Sequence, residues 1–379
     1  MVREVILYVG YKAEVYANFF LPKHFEEEIE AIDFPRLVHQ TSRARAKSLI
    51  MERIRKRKYS AVCFTACIDP MFYEEELLEM REYALLVGIF SDDTHLTSFS
   101  RQVAWYCDLV LTCDPLQVDS YSAIGVPARL HLFDISPDRF PNRQLRRDID
   151  ILIYGTSSKG RAERTAGLRE AFPDAEIMDV SDQRLEFESL LELLNRSLLT
   201  VNWSGVSRVP SVNSYRDPLF GDYIQIKGRT FEAALCGCLC ISEDCGAYDH
   251  IFTSESLPRF SSERELYALV GQYLLDRKQI ADDSRMQTAS ALTYLGRIQQ
   301  PIDLGTIQRR APTRLPPTSM VDEVVATFTL RDGLESLSKG RFRSAFWDIR
   351  ECKLRKVRAR YLWLRLQIFA SRVPMSPSE

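Results

Sequence analysis

The stretch Tyr223–Gly246, YIQIKGRTFEAALCGCLCISEDCG, constrains this chain more than any other. It opens with a short apolar-alternating run, Tyr223–Ile226, and turns at Lys227-Gly228-Arg229. The spacing then predicts a short helix from Thr230 to about Cys236, a stop at Gly237 and a buried strand over Cys238–Ser242. Thr230 suits the N-cap or first turn. Gly237 suits the C′ position, because glycine accepts a positive φ without penalty. Such a helix begins with backbone N–H groups that have no intrahelical acceptor, and here Lys227 and Arg229 flank that start. Amides, dipole and cations together make an anion site that suits a diphosphate. Glu232 falls within the same first turns. A carboxylate beside phosphate is repulsive, so its useful partners are neutral hydroxyls such as those of a ribose. Phosphate at the helix start and ribose at the carboxylate describe a nucleotide. The competing reading is a basic turn before an amphipathic helix in an ordinary α/β domain.

A chain of 379 residues exceeds one typical core and predicts two domains with a further segment. A hydrophobic fraction of 45% and a charged fraction of 27% are those of a globular protein, and a net charge of −2 gives no reason to expect nucleic acid. No apolar run is long enough to span a bilayer. The start MVREVILYVGY reads as a first strand rather than a signal peptide. Nine unevenly spaced cysteines suit free thiols in a reducing compartment, so a cytoplasmic protein is expected.

Strand and helix patterns alternate along the first part. Val5–Val9 reads as a strand, Tyr16–Ile32 as a helix interrupted or started near Pro22, and Leu37–Val38 as a second strand. Ala44–Lys58 reads as a basic helix with solvated cations. Ala61–Thr65 is a strand and Glu74–Ala84 a helix. Leu85–Phe90 is a continuous apolar run, as in a central parallel strand. Asp92 and Asp93 follow that strand, at the sheet edge where open α/β domains bind ligands. Thr97–Tyr106, Leu109–Thr112, Gln117–Ile124 and Arg129–Phe133 continue the alternation. Ile135–Asp148, polar and proline-bearing, marks a boundary. A second sheet begins at Ile149–Tyr154, followed by a small-residue turn over Gly155, Thr156 and Ser157 that offers amides and hydroxyls to phosphate. Leu198–Trp203 is a strand reaching Asn202, Trp203 and Ser204 at its carboxyl end. The fold class is therefore α/β with doubly wound parallel sheets. The predicted domains are 1–140 and 149–300, then a linker over 301–318 and a basic helical tail over 319–379.

The pattern QIKGRTFEAALCGCLCISED resembles the donor-nucleotide motif of the GT-B glycosyltransferases, in particular the CgeB-like (spore-maturation-protein) group. The matching residues are Lys227, Arg229, Phe231, Glu232, Cys236 and Gly237. In the first half, Asp92, Asp93, Cys107, Asp108, Tyr121 and Gly125 are similar to the acceptor-side domain of that group. The resemblance implies GT-B architecture, with two Rossmann-like domains facing a cleft. It also implies a nucleotide-diphosphate sugar, UDP- or GDP-linked, as donor, and Gly155, Thr156, Ser157, Asn202, Ser204, Lys227, Arg229, Thr230 and Glu232 around that donor. Lys227, Arg229 and the helix start would stabilise the departing diphosphate with no metal and no cofactor. Asp92 or Asp93 would act as base on the hydroxyl of a carbohydrate, lipid-linked or protein acceptor. One departure stands out: where many retaining enzymes carry a glutamate eight positions before Glu232, this chain has Ile224, so the stereochemical course is not implied.

Cys236, Cys238, Cys240 and Cys245 invite a zinc reading, but their spacing lacks the usual C-x2-C knuckles, and buried small residues are expected instead. The tail helix from Phe342 to Phe369, rich in arginine and aromatic residues, offers a peripheral contact with an anionic membrane face or a docking surface. A nucleotide-sugar epimerase and a non-catalytic nucleotide-sugar-binding scaffold fit the same residues.

Overall fold

The computed structural model describes residues 5–65, 71–91, 93–132, 135–155, 159–181, 183, 185–203, 224–311 and 321–354. In chain order the first elements are β1 (Val5–Gly10), α1 (Ala13–Val15), β2 (Glu28–Asp33), α2 (Phe34–Gln40), α3 (Arg43–Lys56), β3 (Ala61–Thr65), α4 (Glu74–Tyr83) and β4 (Leu85–Phe90). Then come α5 (Thr97–Ala104), β5 (Leu109–Thr112), α6 (Pro115–Ser122) and β6 (Ala128–Leu130). The second series is β7 (Ile149–Ile153), α7 (Lys159–Ala171), β8 (Ile177–Asp179), α8 (Phe187–Arg196), β9 (Ser197–Asn202), α9 (Gly228–Leu235) and β10 (Leu239–Glu243). It continues with β11 (Arg259–Phe260), α10 (Glu263–Leu275) and α11 (Arg277–Ile298), and the last described helices are α12 (Val321–Ser338) and α13 (Phe342–Leu354).

The strands form two sheets, one six-stranded with order β2-β1-β3-β4-β5-β6 and one five-stranded with order β11-β10-β9-β7-β8. β1 pairs in parallel with β2 and β3, and β3 with β4. In the second sheet β7 pairs in parallel with β8 and β9, and β10 with β9 and β11. Both sheets are doubly wound: the chain leaves the first strand to one side, then returns to build outward on the other. Ligands of such sheets bind beyond the carboxyl ends of the strands flanking that reversal, here β7 and β9 in the second sheet. Ile151, Ile153, Leu199, Val201, Leu239 and Ile241 pack on one side of that sheet. Leu152, Cys240, Phe231 and Tyr294 belong to the other side's core. Continuous apolar strands are what two covered faces require.

The chain divides into two compact units, one of Met1–Leu111, Ser120–Ala128 and Pro301–Glu379, the other of Thr112–Asp119 and Arg129–Gln300. The segment after residue 300 thus groups with the first unit. There Arg43 and Lys47 of α3 are buried, not solvated as the basic pattern suggests. Arg43 Nε donates to Asp332 Oδ2 of α12 at 2.7 Å, and its guanidinium lies over the rings of Phe34 and Phe328. Lys47 pairs with Glu351 of α13 and lies 3.5 Å from Glu76 of α4, with its ammonium over the Tyr73 ring. Asp348 of α13 accepts from the Ala44 amide in the first turn of α3, and Asp322 of α12 accepts from the Glu74 amide that opens α4. The expected membrane-facing residues Arg355, Lys356, Arg358, Arg360 and Arg365 lie outside the described residues. Among the described residues no helix is long and apolar enough to cross a membrane.

A second departure lies near the start. Glu28–Asp33 is a strand and Phe34–Gln40 a helix, where a helix and a strand were expected. EIEAID alternates polar and apolar residues, which suits a strand. The Asp33 side chain accepts from Arg36 N, capping a helix with proline in its first turn.

Candidate active site

α9 begins at Gly228, two residues earlier than the sequence suggests, with Lys227 in extended backbone before it. A Cβ on Gly228 would lie 3.0 Å from the Ile135 side chain and 3.4 Å from Glu232 Oε1, so this close approach favours glycine. The far end of α9 is a Schellman closure. Cys238 N–H donates to Ala233 O, Gly237 N–H donates to Ala234 O, and Gly237 takes φ +70° as anticipated. Arg147 Nη2 donates to Cys236 O, and Ser284 Oγ donates to Gly237 O. Phe231 turns into the core, stacked on Tyr294 and packed against Phe252. The helix is thus fixed at its C-terminal end and along its inner face.

Arg229 reaches the carboxyl edge of the sheet. Its Nη1 donates to Tyr154 O at 3.1 Å, and its Nη2 donates to Trp203 O at 3.2 Å. Tyr154 directly follows β7 and Trp203 directly follows β9, so the guanidinium bridges the two strands that flank the topological reversal. A guanidinium has five N–H donors, so two carbonyls anchor it without consuming its capacity or cancelling its charge. Tyr154 answers in the other direction: its hydroxyl lies 3.0 Å from Glu232 Oε2 and 3.2 Å from Arg229 O, one proton facing two acceptors. Burial first, and the Glu232 carboxylate second, push the Tyr154 hydroxyl well above its ordinary range, so it stays a neutral donor. Lys227, Arg229 and Glu232 are all half-buried.

Thr230 and Asn202 are both fully buried. Thr230 Oγ1 lies 2.9 Å from Tyr248 Oη, and Asn202 Nδ2 donates to Ser242 Oγ at 2.9 Å and to Tyr248 Oη at 3.1 Å. Asn202 pairs across the sheet with Ser242, which explains that contact. These side chains hold α9 against β9 and β10.

Gly155 is exposed at φ +96°, a backbone that an L side chain adopts only under strain. Thr156, Ser157 and Ser204 lie outside the described residues, as does Asp92. Asp93 is fully buried, and its Oδ2 accepts from the Tyr121 hydroxyl at 2.6 Å. Asp93 thus ties the turn after β4 to Tyr121 of α6.

Cys236, Cys238, Cys240 and Cys245 are buried free thiols. Burial pushes Cys236 and Cys240 up to about 12 and Cys245 up to about 11. Among the described residues no group of His, Cys, Asp and Glu is placed to hold a metal ion. Tyr154, Trp203 and Tyr248 escape a reading of the sequence. The available signal was an aromatic at the carboxyl end of each strand beside the reversal.

With this geometry in place, comparison with known proteins is informative. Residues 140–303 match the glycosyl transferase-like family. Sucrose-phosphate synthase from Thermosynechococcus elongatus superposes with a TM-score of 0.51 at 10% identity, over 78% of this chain and 96% of that one. HepE from Anabaena, solved with UDP and glucose, gives a TM-score of 0.48 at 13% identity, over 80% and 97% of the two chains. No curated protein is similar in sequence. Two Rossmann-like parallel-sheet domains place the chain in the GT-B fold class. The matched segment, less than half of the chain, is where the likeness to glycosyl transferases lies.

Proposed function

We propose that this enzyme moves a sugar from a UDP- or GDP-linked donor to an acceptor hydroxyl without a metal, and that it falls in the CgeB-like group. The costly event is departure of the nucleoside diphosphate, when negative charge grows on the β-phosphate. Arg229, Lys227 and the first amides of α9 stabilise that charge. Glu232 accepts from the ribose hydroxyls and so sets the donor's register. Asp92 or Asp93 is the candidate base for the acceptor hydroxyl of a carbohydrate, lipid-linked or protein acceptor. The observation that carries this reading is the bridge from Arg229 to Tyr154 O and Trp203 O. It sets a cation at the carboxyl ends of the two strands beside the reversal, with a carboxylate one helical turn away.

The test is a thermal-shift screen of UDP-, GDP-, dTDP- and CMP-sugars, followed by kinetics of Arg229→Ala and Glu232→Ala with the stabilising donor. The expected result is stabilisation by one donor class, with turnover lost in Arg229→Ala and donor KM raised in Glu232→Ala. Donor kinetics unchanged in both variants would overturn the assignment.

A further inference from the structure

Tyr154 bonds to two of the site's three charged groups, Arg229 and Glu232. Its backbone carbonyl accepts from Arg229 Nη1, and its hydroxyl donates to Glu232 Oε2. The same hydroxyl lies 3.2 Å from Arg229 O, so the start of α9 is tied to the end of β7 by side chain and main chain alike. The ring is buried, one residue before the exposed Gly155. The carboxylate it holds has its other oxygen, Oε1, beside Gly228 at the helix start.

A glutamate on an exposed helix turn samples several rotamers, and ordering it on a ligand costs side-chain entropy. A carboxylate that must accept from two vicinal hydroxyls gains most when its plane is set beforehand. A neutral donor on Oε2 sets that plane. A phenol sets that plane without bringing a charge of its own to the carboxylate.

We propose that Tyr154 is the positioning residue of the donor site, orienting the Glu232 carboxylate for recognition of the donor's ribose 2′- and 3′-hydroxyls. This rests on the glycosyl-donor reading above. Tyr154 touches no reacting atom and acts through Glu232.

The experiment measures binding of UDP and 2′-deoxy-UDP, and of GDP and 2′-deoxy-GDP, to the full chain by calorimetry. The proteins compared are the wild type, Tyr154→Phe, Glu232→Gln and the double variant. Tyr154→Phe keeps the ring and the carbonyl that anchors Arg229, and removes only the hydroxyl. The expected result is about a tenfold loss of affinity for the ribonucleotide with little change for the deoxynucleotide. Discrimination between the two then falls toward that of Glu232→Gln, and the double variant is no worse than Glu232→Gln alone. If Tyr154→Phe destabilises the fold, the double variant, in which both partners of the bond are changed, supplies the same comparison. Equal weakening of both nucleotides, or additive losses in the double variant, assigns Tyr154 a structural role and overturns the proposal. A wild type that binds neither nucleotide, or binds without discriminating, removes the donor-site reading itself and this inference with it.

Discussion

Arg229 and Arg43 are both held firmly, but by opposite chemistry. Arg43 is fully buried, with Asp332 at 2.7 Å and aromatic rings near its guanidinium. Arg229 is half-buried and anchored on two backbone carbonyls. A carboxylate partner cancels the charge and converts a cation into a structural pin, strongly coupled to its mate and costly to leave unpaired. Carbonyl partners fix position while leaving net charge for something that arrives later, which is what pre-organised electrostatic catalysis needs. The nature of the anchor, more than burial alone, separates a cation that builds the fold from one poised for chemistry.

The sharpest way to break this contrast is Arg43→Met, which leaves the half-buried Asp332 with Arg331 as its cation. Chemical denaturation should show the first unit losing about 3 kcal/mol, the low end for a broken buried pair because Arg331 also donates to Asp332. Arg229→Met should leave the denaturation midpoint nearly unchanged, and the opposite ranking would invert the argument. Next in size, Arg229→Ala should slow transfer about 10²–10³-fold at saturating donor, read from released nucleoside diphosphate.

Asp348 sharpens the structural half. Burial raises this carboxyl from 3.8 to about 6 although the Ala44 amide donates to it. The folded state therefore holds this proton more tightly than the unfolded chain. The stability so gained is present below about pH 4 and is lost as pH rises through 6. Asp348→Asn should remove that slope, gaining about 2–3 kcal/mol on the wild type between pH 4 and 7 in paired denaturation curves. Smallest of all, Gly237→Ala should cost about 1–2 kcal/mol in thermal unfolding for its positive φ. Crowding of Asn142 and Arg147 by the new methyl adds to that loss.

The second unit was the more legible in sequence, because its signals are local. Gly237 stopping α9, the strand that begins at Ile149 and Glu263–Leu275 as a helix follow from neighbours within a few residues. The start of α9 was misjudged because Thr230 looks like a cap, whereas its hydroxyl serves Tyr248, far enough along the chain to leave no local trace. The aromatic spacing of Phe19, Phe20 and Phe25 masked the period-two pattern of Glu28–Asp33, although Asp33 and Pro35 announced the following helix. Arg43 and Lys47 looked like solvated cations because their partners lie some 300 positions away, at Asp332 and Glu351. The placing of Arg229 and Glu232 in the first turns of a helix was readable from spacing. Tyr154 was not, since its importance arises only when β7 is laid beside α9.

That long separation bears on how the protein is made. On the ribosome, the strands and helices between Arg129 and Gln300 emerge complete while Lys47 still awaits Glu351, so the second unit can fold during translation. The first begins earlier, and its α3 gains Asp332 and Glu351 as partners for Arg43 and Lys47 only when α12 and α13 emerge.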